Sequence, residues 1–284
     1  MLVDSHTHVA CGDSPRFPTN PSGVASEWWK DGGSVDDLMS ELVANDVAKA
    51  VIVQAIGAYG YDCGCALASV AEHRDRLAFV GSIEMSVPDP ASALVGLVSE
   101  ADACDVRIAG LRLFAAGGGA GGGDPAWLSD GRMRAVIEAA TSLGITVVPT
   151  LFTRHLDALC AALDACPDAV VALDHCAFPD MAEGGRTSGD ASLLRLARFP
   201  GVSLKVTSYV LEMADRDDHD PAPCVETLAE TFGTDRLCWG SDHPQDQRHS
   251  YAEKVALART ATRNLTVSER DAFFATTALR LFWP

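Results

Sequence analysis

The stretch RMRAVIEAATSLGITVVPT, residues 132–150, changes from one kind of structure to another across a single glycine. Arg132–Leu143 follows the three-four apolar spacing of a helix that buries one face, with Asp130 near its start. Gly144 is placed to end that helix, and Ile145–Thr150 follows as a short apolar strand. The unit recurs along the chain. Strands are expected at Leu2–His6, Ala50–Gln54, Ala78–Ile83, Ala109–Phe114, Ile145–Thr150, Val170–Leu173, Val202–Val206 and Leu237–Gly240. Strands alternating with helices predict a parallel sheet, and eight is the number that closes it into an α/β, (β/α)8 TIM barrel, here a single domain over residues 1–284.

Among the intervening helices Ser34–Val47 is the clearest, with Val35, Leu38, Met39, Leu42, Val43 and Val47 on one face, Ser34 as N-cap and Asp37 in the first turn. Tyr251–Thr262 and Ser268–Leu281 close the outer ring, the second carrying Phe273, Phe274, Leu279 and Phe282 as packing residues. Two loops stand out. Pro15–Trp29 reads as an ordered excursion over the barrel mouth. Gly117–Gly123 lacks the Lys-Ser/Thr ending of a phosphate loop, so it reads as a connector or as a lid that orders over substrate.

Composition narrows the partners. With 22 Lys+Arg against 39 Asp+Glu the formal charge is -17, a field that repels phosphate backbones and anionic lipid. Neither nucleic acid nor membrane is expected as a partner; a small-molecule substrate is. Met1 runs straight into Leu2-Val3-Asp4-Ser5-His6 without a basic start or a long apolar segment, so no export signal is expected and a cytoplasmic setting is. Nine cysteines without paired C-x-x-C spacing indicate neither a disulfide framework nor a zinc knuckle, and most should be small core residues. The apolar end Leu281-Phe282-Trp283-Pro284 has two destinations, the barrel or a partner subunit in a homo-oligomer.

The chemistry concentrates at strand ends. His6 and His8 are two apart, which on a strand places both rings on one face in a metal-ligand arrangement. Leu173-Asp174-His175-Cys176 follows strand six, where His175 points to the same mouth or serves as a hydrogen-bonded core histidine, and Asp174 orients a neighbouring ring. Cys238-Trp239-Gly240-Ser241-Asp242-His243-Pro244 ends strand eight in Asp242, able to bind a metal or take a proton from water. In a barrel these ends share one face, the one that holds active sites.

Taken in order, Val3-Asp4-Ser5-His6-Thr7-His8, Val51–Gln54, Gly110–Phe114, Leu173-Asp174-His175, Ser203–Val206 and Trp239–Pro244 resemble the amidohydrolase superfamily. The likeness is to its amidohydrolase-related branch, which includes pyrone-dicarboxylate lactonase and sugar-acid lactonases. The resemblance implies that His6 and His8 bind a divalent metal, zinc first, or the substrate carbonyl, that His175 contacts metal or substrate and Asp242 joins the metal ligands, that His175 and Asp242 are catalytic with Asp242 the general base on water, and that Arg112 holds a substrate carboxylate. Lys205 is placed either to touch substrate or to make a salt bridge inside the barrel. Gln54, His155 and Tyr209 complete the candidate substrate contacts, with Trp28, Trp29 and Tyr59 as further residues of the pocket or the core.

Two departures bear on mechanism. The histidine that full metal sites carry after strand five falls near Thr150, with His155 displaced beyond it, so a metal-free route stays open. The loop after Arg112 is glycine where pyrone lactonases have further arginines, which argues against a pyrone substrate. A lactone suits either route, because its ester carbonyl is more electrophilic than an amide. The expectation is therefore a hydrolase opening a carboxylate-bearing lactone or similar cyclic ester. The alternatives are a metal-dependent decarboxylase of an aromatic or unsaturated acid and, third, a non-catalytic ligand-binding barrel.

Overall fold

A computed structural model describes residues 1–12, 14–20, 27–30, 32–116, 125–180 and 191–284. Eight parallel strands follow one another around the sheet: β1 (Leu2–Thr7), β2 (Val47–Val53), β3 (Leu77–Ser82), β4 (Ile108–Phe114), β5 (Thr146–Thr150), β6 (Val171–Leu173), β7 (Val202–Thr207) and β8 (Leu237–Gly240). The expected strands are all present, with ends shifted by up to three residues. A parallel bridge between Thr7 and His243 joins the last strand's end to the first, so the sheet closes into the expected (β/α)8 barrel. No helix of the described residues is long and apolar enough to cross a membrane.

Inside the barrel Val3, Val51, Val53, Val80, Val148 and Cys238 form one apolar layer with Leu281 and Phe282 of the C-terminal helix. The tail therefore packs on the barrel floor: Leu281 and Phe282 are buried, and their carbonyls accept from the Thr146 hydroxyl and the Arg107 guanidinium. Apolar side chains fill the floor, which leaves buried polar groups to the opposite, carboxyl end of the strands.

Three sequence expectations need correction. The first helix spans Val35–Ala44, not Ser34–Val47: Ser34 caps it in a reciprocal box with Asp37, while Asp46 at φ 56 turns the chain so that Val47 opens β2. The last helical run starts after Thr266, whose hydroxyl and the Glu269 carboxylate close the same kind of box, and it passes through a π turn at Ala272–Thr276. Ser268 therefore lies inside the first turn and caps nothing. Against the expectation of no disulfide, Cys11 and Cys65 are joined in one, 54 residues apart in sequence. The loop after β1 meets the helix after β2 at the mouth, a proximity that spacing does not reveal. Of the remaining cysteines all but Cys104 are buried, as expected of small core residues.

The Pro15–Trp29 excursion is tied to the mouth at both described ends. Asn20 donates its amide to the Ala58 carbonyl, and Trp28 is buried with its ring 6.0 Å from that of His8. Gly117–Gly123 lies outside the described residues.

Candidate active site

The barrel's closing seam builds the site. His8 donates its amide to the His243 carbonyl at 2.7 Å, and Asp242 donates its amide to the His6 carbonyl at 2.9 Å. These bonds set the end of β8 against the end of β1. Gly240 permits the approach, since a Cβ there would stand 2.8 Å from His6 Cβ. Asp242, at φ 55, then turns its carboxylate between the two imidazoles, with Oδ1 3.6 Å from His6 Nε2 and 3.4 Å from His8 Nε2.

Each ring is held from behind. His8 Nδ1 lies 2.8 Å from the Val53 carbonyl, which can only accept, so in the neutral ring the proton sits on Nδ1 and the lone pair on Nε2 faces Asp242. His6 Nδ1 lies 3.0 Å from Asp174 Oδ1, which orients that ring the same way. Among the described residues His6 Nε2, His8 Nε2 and Asp242 Oδ1 are buried without hydrogen-bond partners, and they lie within 4.8 Å of one another. Orphaned polar atoms are costly in a protein interior, and three converging from two imidazoles and a carboxylate fit a divalent transition metal. Burial opposes ionisation of Asp242, but the attraction of His175, His8 and His6 around it outweighs burial and holds the carboxyl well below its ordinary range.

The strand-face reading holds for His6 and His8 yet not for the residue before them. Asp4 accepts from the Ser241 amide at 2.9 Å and from the Tyr251 hydroxyl at 2.8 Å in the outer helix layer, whereas His6 meets Asp174 and Lys205. The register of β1 on β2 shifts between Asp4 and Thr7, and such an irregularity re-aims side chains two apart onto different sides. Asp4 is thus a seam residue that sequence reasoning missed; a buried acid within an apolar strand was its signal.

His175 reaches the mouth through an unusual turn: His175, Cys176, Ala177 and Phe178 all have φ between 50 and 62. Consecutive left-handed L-residues are strained, roughly 1–2 kcal/mol each. The turn sets the His175 ring 4.7 Å from His6 and brings its Nδ1 to 2.8 Å from Thr207 Oγ1, another contact missed from sequence. Of the four residues expected to share a metal, three converge; His175 groups instead with His6 and Asp174. Burial, against the pull of Asp242 and Asp174, moves its pKa below that of an ordinary imidazole, so the neutral ring is favoured. We expect Ala177→Val to cost about 2 kcal/mol in a denaturant melt, because a β-branched side chain disfavours this conformation and overfills the core. Ala177→Gly should stay within about 1 kcal/mol, since relief of strain offsets the lost buried methyl. Equal effects of the two would show the turn to be unstrained.

Beneath His6 lies a buried ionic brace. Asp174 Oδ1 accepts from Lys205 Nζ at 2.9 Å; Oδ2 accepts from the Thr150 hydroxyl at 2.7 Å and stands 3.5 Å from Arg112 Nε. Burial opposes ionisation of Asp174, but Lys205, His6 and Arg112 together hold its carboxyl well below the usual range. Lys205 is wholly buried and also lies 3.0 Å from His6 Nδ1, which realises the salt bridge inside the barrel. Arg112 donates from Nε to Thr150 at 2.8 Å and from Nη1 to the Gln54 carbonyl at 3.0 Å, while Nη2 has no hydrogen-bond partner among the described residues. The Gln54 side chain turns away, donating to the Gly60 and Asp62 carbonyls of its own loop. Tyr209 is half-buried with its ring 6.2 Å from that of His175. His155 is buried one ring further out, 5.9 Å from Phe152. Of the pocket candidates, Tyr59 is engaged with the Cys11 amide, and Trp28 and Trp29 are buried.

A sequence profile described as amidohydrolase matches residues 3–283. L-fucono-1,5-lactonase of Burkholderia ambifaria is 26% identical over 251 residues, covering 85% of this chain and 80% of that protein. Among solved structures, a probable 2-pyrone-4,6-dicarboxylic acid hydrolase of Acinetobacter baumannii with bound citric acid superposes with a TM-score of 0.76 at 18% identity, covering 100% of this chain and 99% of the other. A Burkholderia multivorans amidohydrolase with bound zinc gives a TM-score of 0.76 at 22% identity over the same shares of the two chains.

Proposed function

The chain belongs to the amidohydrolase family and is a hydrolase, and from that premise we propose that it opens a lactone ring with water activated at Asp242. The observation that carries this reading is the convergence of His6 Nε2, His8 Nε2 and Asp242 Oδ1, buried and without partners. These atoms would hold a divalent metal, zinc first. When bound, it supplies a Lewis acid that polarises the ester carbonyl and acidifies water.

The chain's own groups account for the remainder. The Asp242 carboxylate, kept ionised by its histidine neighbours, takes a proton from the attacking water. Oxygen bonds to the carbonyl carbon, the ring C–O bond breaks, and the same proton returns to the leaving alkoxide, so one lactone and one water give one hydroxy acid. His175, fixed at Nδ1 by Thr207, offers its other nitrogen to substrate. With the rest of the Arg112 guanidinium committed to Thr150 and the Gln54 carbonyl, Nη2 is the donor left for a substrate carboxylate. The relation to a curated lactonase over 85% of the chain supports the same choice of substrate class.

Product analysis on a panel of lactones and aromatic acids tests the reading. Ring opening with one acid equivalent released per turnover and one oxygen taken from water supports it. Carbon dioxide release without uptake of water would replace it with the decarboxylase, and binding without turnover with a ligand-binding barrel.

A further inference from the structure

The rings of the site continue past His175. Phe178 stacks on His175 with centroids 4.6 Å apart and planes at 25°. Tyr209 meets Phe178 edge-on at 5.3 Å, and Phe152 lies 5.4 Å from it. All three are half-buried. An unbroken run of rings therefore leads from His6, through His175, to solvent.

Three consecutive strands build this run in the same way. The strands β5, β6 and β7 each place a buried polar residue in the brace, Thr150, Asp174 and Lys205. Each then carries an aromatic residue a few positions further on, Phe152, Phe178 and Tyr209. The depth of the site is charged and hydrogen-bonded, while this part of its rim is aromatic: the Arg154 guanidinium lies 4.5 Å from the centroid of Phe152 and that of Arg248 5.4 Å from the centroid of Tyr209, and among the described residues no cation lies over Phe178. The left-handed turn at 175–178 sets Phe178 against His175. A partly exposed aromatic ring retains some apolar area that a ligand can still remove from water, at roughly 25 cal/mol per Å2.

We propose that Phe178, flanked by Tyr209 and Phe152, is a specificity-determining wall that receives an alkyl or aryl substituent of the lactone ring. The proposal rests on the lactonase reading and specifies its substrate: a carbonyl at the seam of β1 and β8 and an apolar group toward the ends of β5–β7. The polar brace lies too deep to meet that group, and the protein's negative surface charge does not act on it.

A series of carboxylate-bearing δ-lactones that are otherwise unsubstituted, methylated or phenylated on the carbon bearing the ring oxygen tests it. In the native enzyme kcat/KM should rise about tenfold or more from the unsubstituted to the substituted ring, the range expected of apolar groups entering an apolar pocket. In Phe178→Ala that ratio should collapse to within about threefold, whatever happens to the absolute rate through His175. Phe178→Leu and Tyr209→Ala give the same comparison should Phe178→Ala not fold, with Phe178→Leu keeping part of the gain. A native enzyme indifferent to the substituent, or a gain that persists in the Phe178 and Tyr209 variants, overturns the wall while leaving ring opening intact. Failure to open any lactone of the series overturns the lactonase reading itself, and the wall with it.

Discussion

Asp242→Asn lowers kcat for ring opening by about 10³-fold, the middle of the range for loss of a general acid-base group, while the protein keeps its fold and KM moves far less. The amide keeps the shape of the carboxylate, so the seam bond from its backbone to the His6 carbonyl persists. What disappears is the negative charge facing His6 and His8 and the ability to take a proton from water. Steady-state kinetics beside a thermal melt separates the two contributions. A folded variant with more than a tenth of native kcat would remove Asp242 from the proton's path.

The second large effect falls beneath the site. Asp174→Ala leaves Lys205 and Arg112 buried side by side without their shared anion, which costs roughly 3–5 kcal/mol when one partner of a buried pair is removed. Denaturant unfolding measures it. Asp174→Asn keeps the shape but weakens the contact that orients His6, and losing such a support typically lowers metal affinity by about 10–100-fold. Metal titration of that variant reads the orienting role directly. An affinity unchanged from native would show that His6 is held by packing and by Lys205 alone.

The barrel was legible because its information is local. Each helix and strand declares itself by period, and Gly144, at φ 65, ends a helix where it was expected to. The metal-type group was legible because strand order in a closed barrel brings the ends carrying His6, His8 and Asp242 to one face. What escaped depends on events between strands. The register shift that sends Asp4 to Tyr251 and His6 to Asp174 is a property of the β1–β2 pairing. The disulfide needs the loop after β1 to meet the helix after β2, and the left-handed turn that presses Phe178 on His175 contains no glycine to announce it. Lys205 and Arg112 were recognised as inward cations, but their shared counter-ion, Asp174, becomes visible only once β4, β6 and β7 are placed around it.

The most direct test of the account is acid release from a lactone panel in a pH-stat, with protein stripped of metal and then reloaded with zinc, and with His6→Ala and His8→Ala in parallel. The account predicts one equivalent of acid per ring opened, loss of turnover on stripping, recovery with zinc and no recovery in either histidine variant. Lactone opening that survives in both variants, or a panel in which no ring opens, would contradict the assignment of this chemistry to His6, His8 and Asp242.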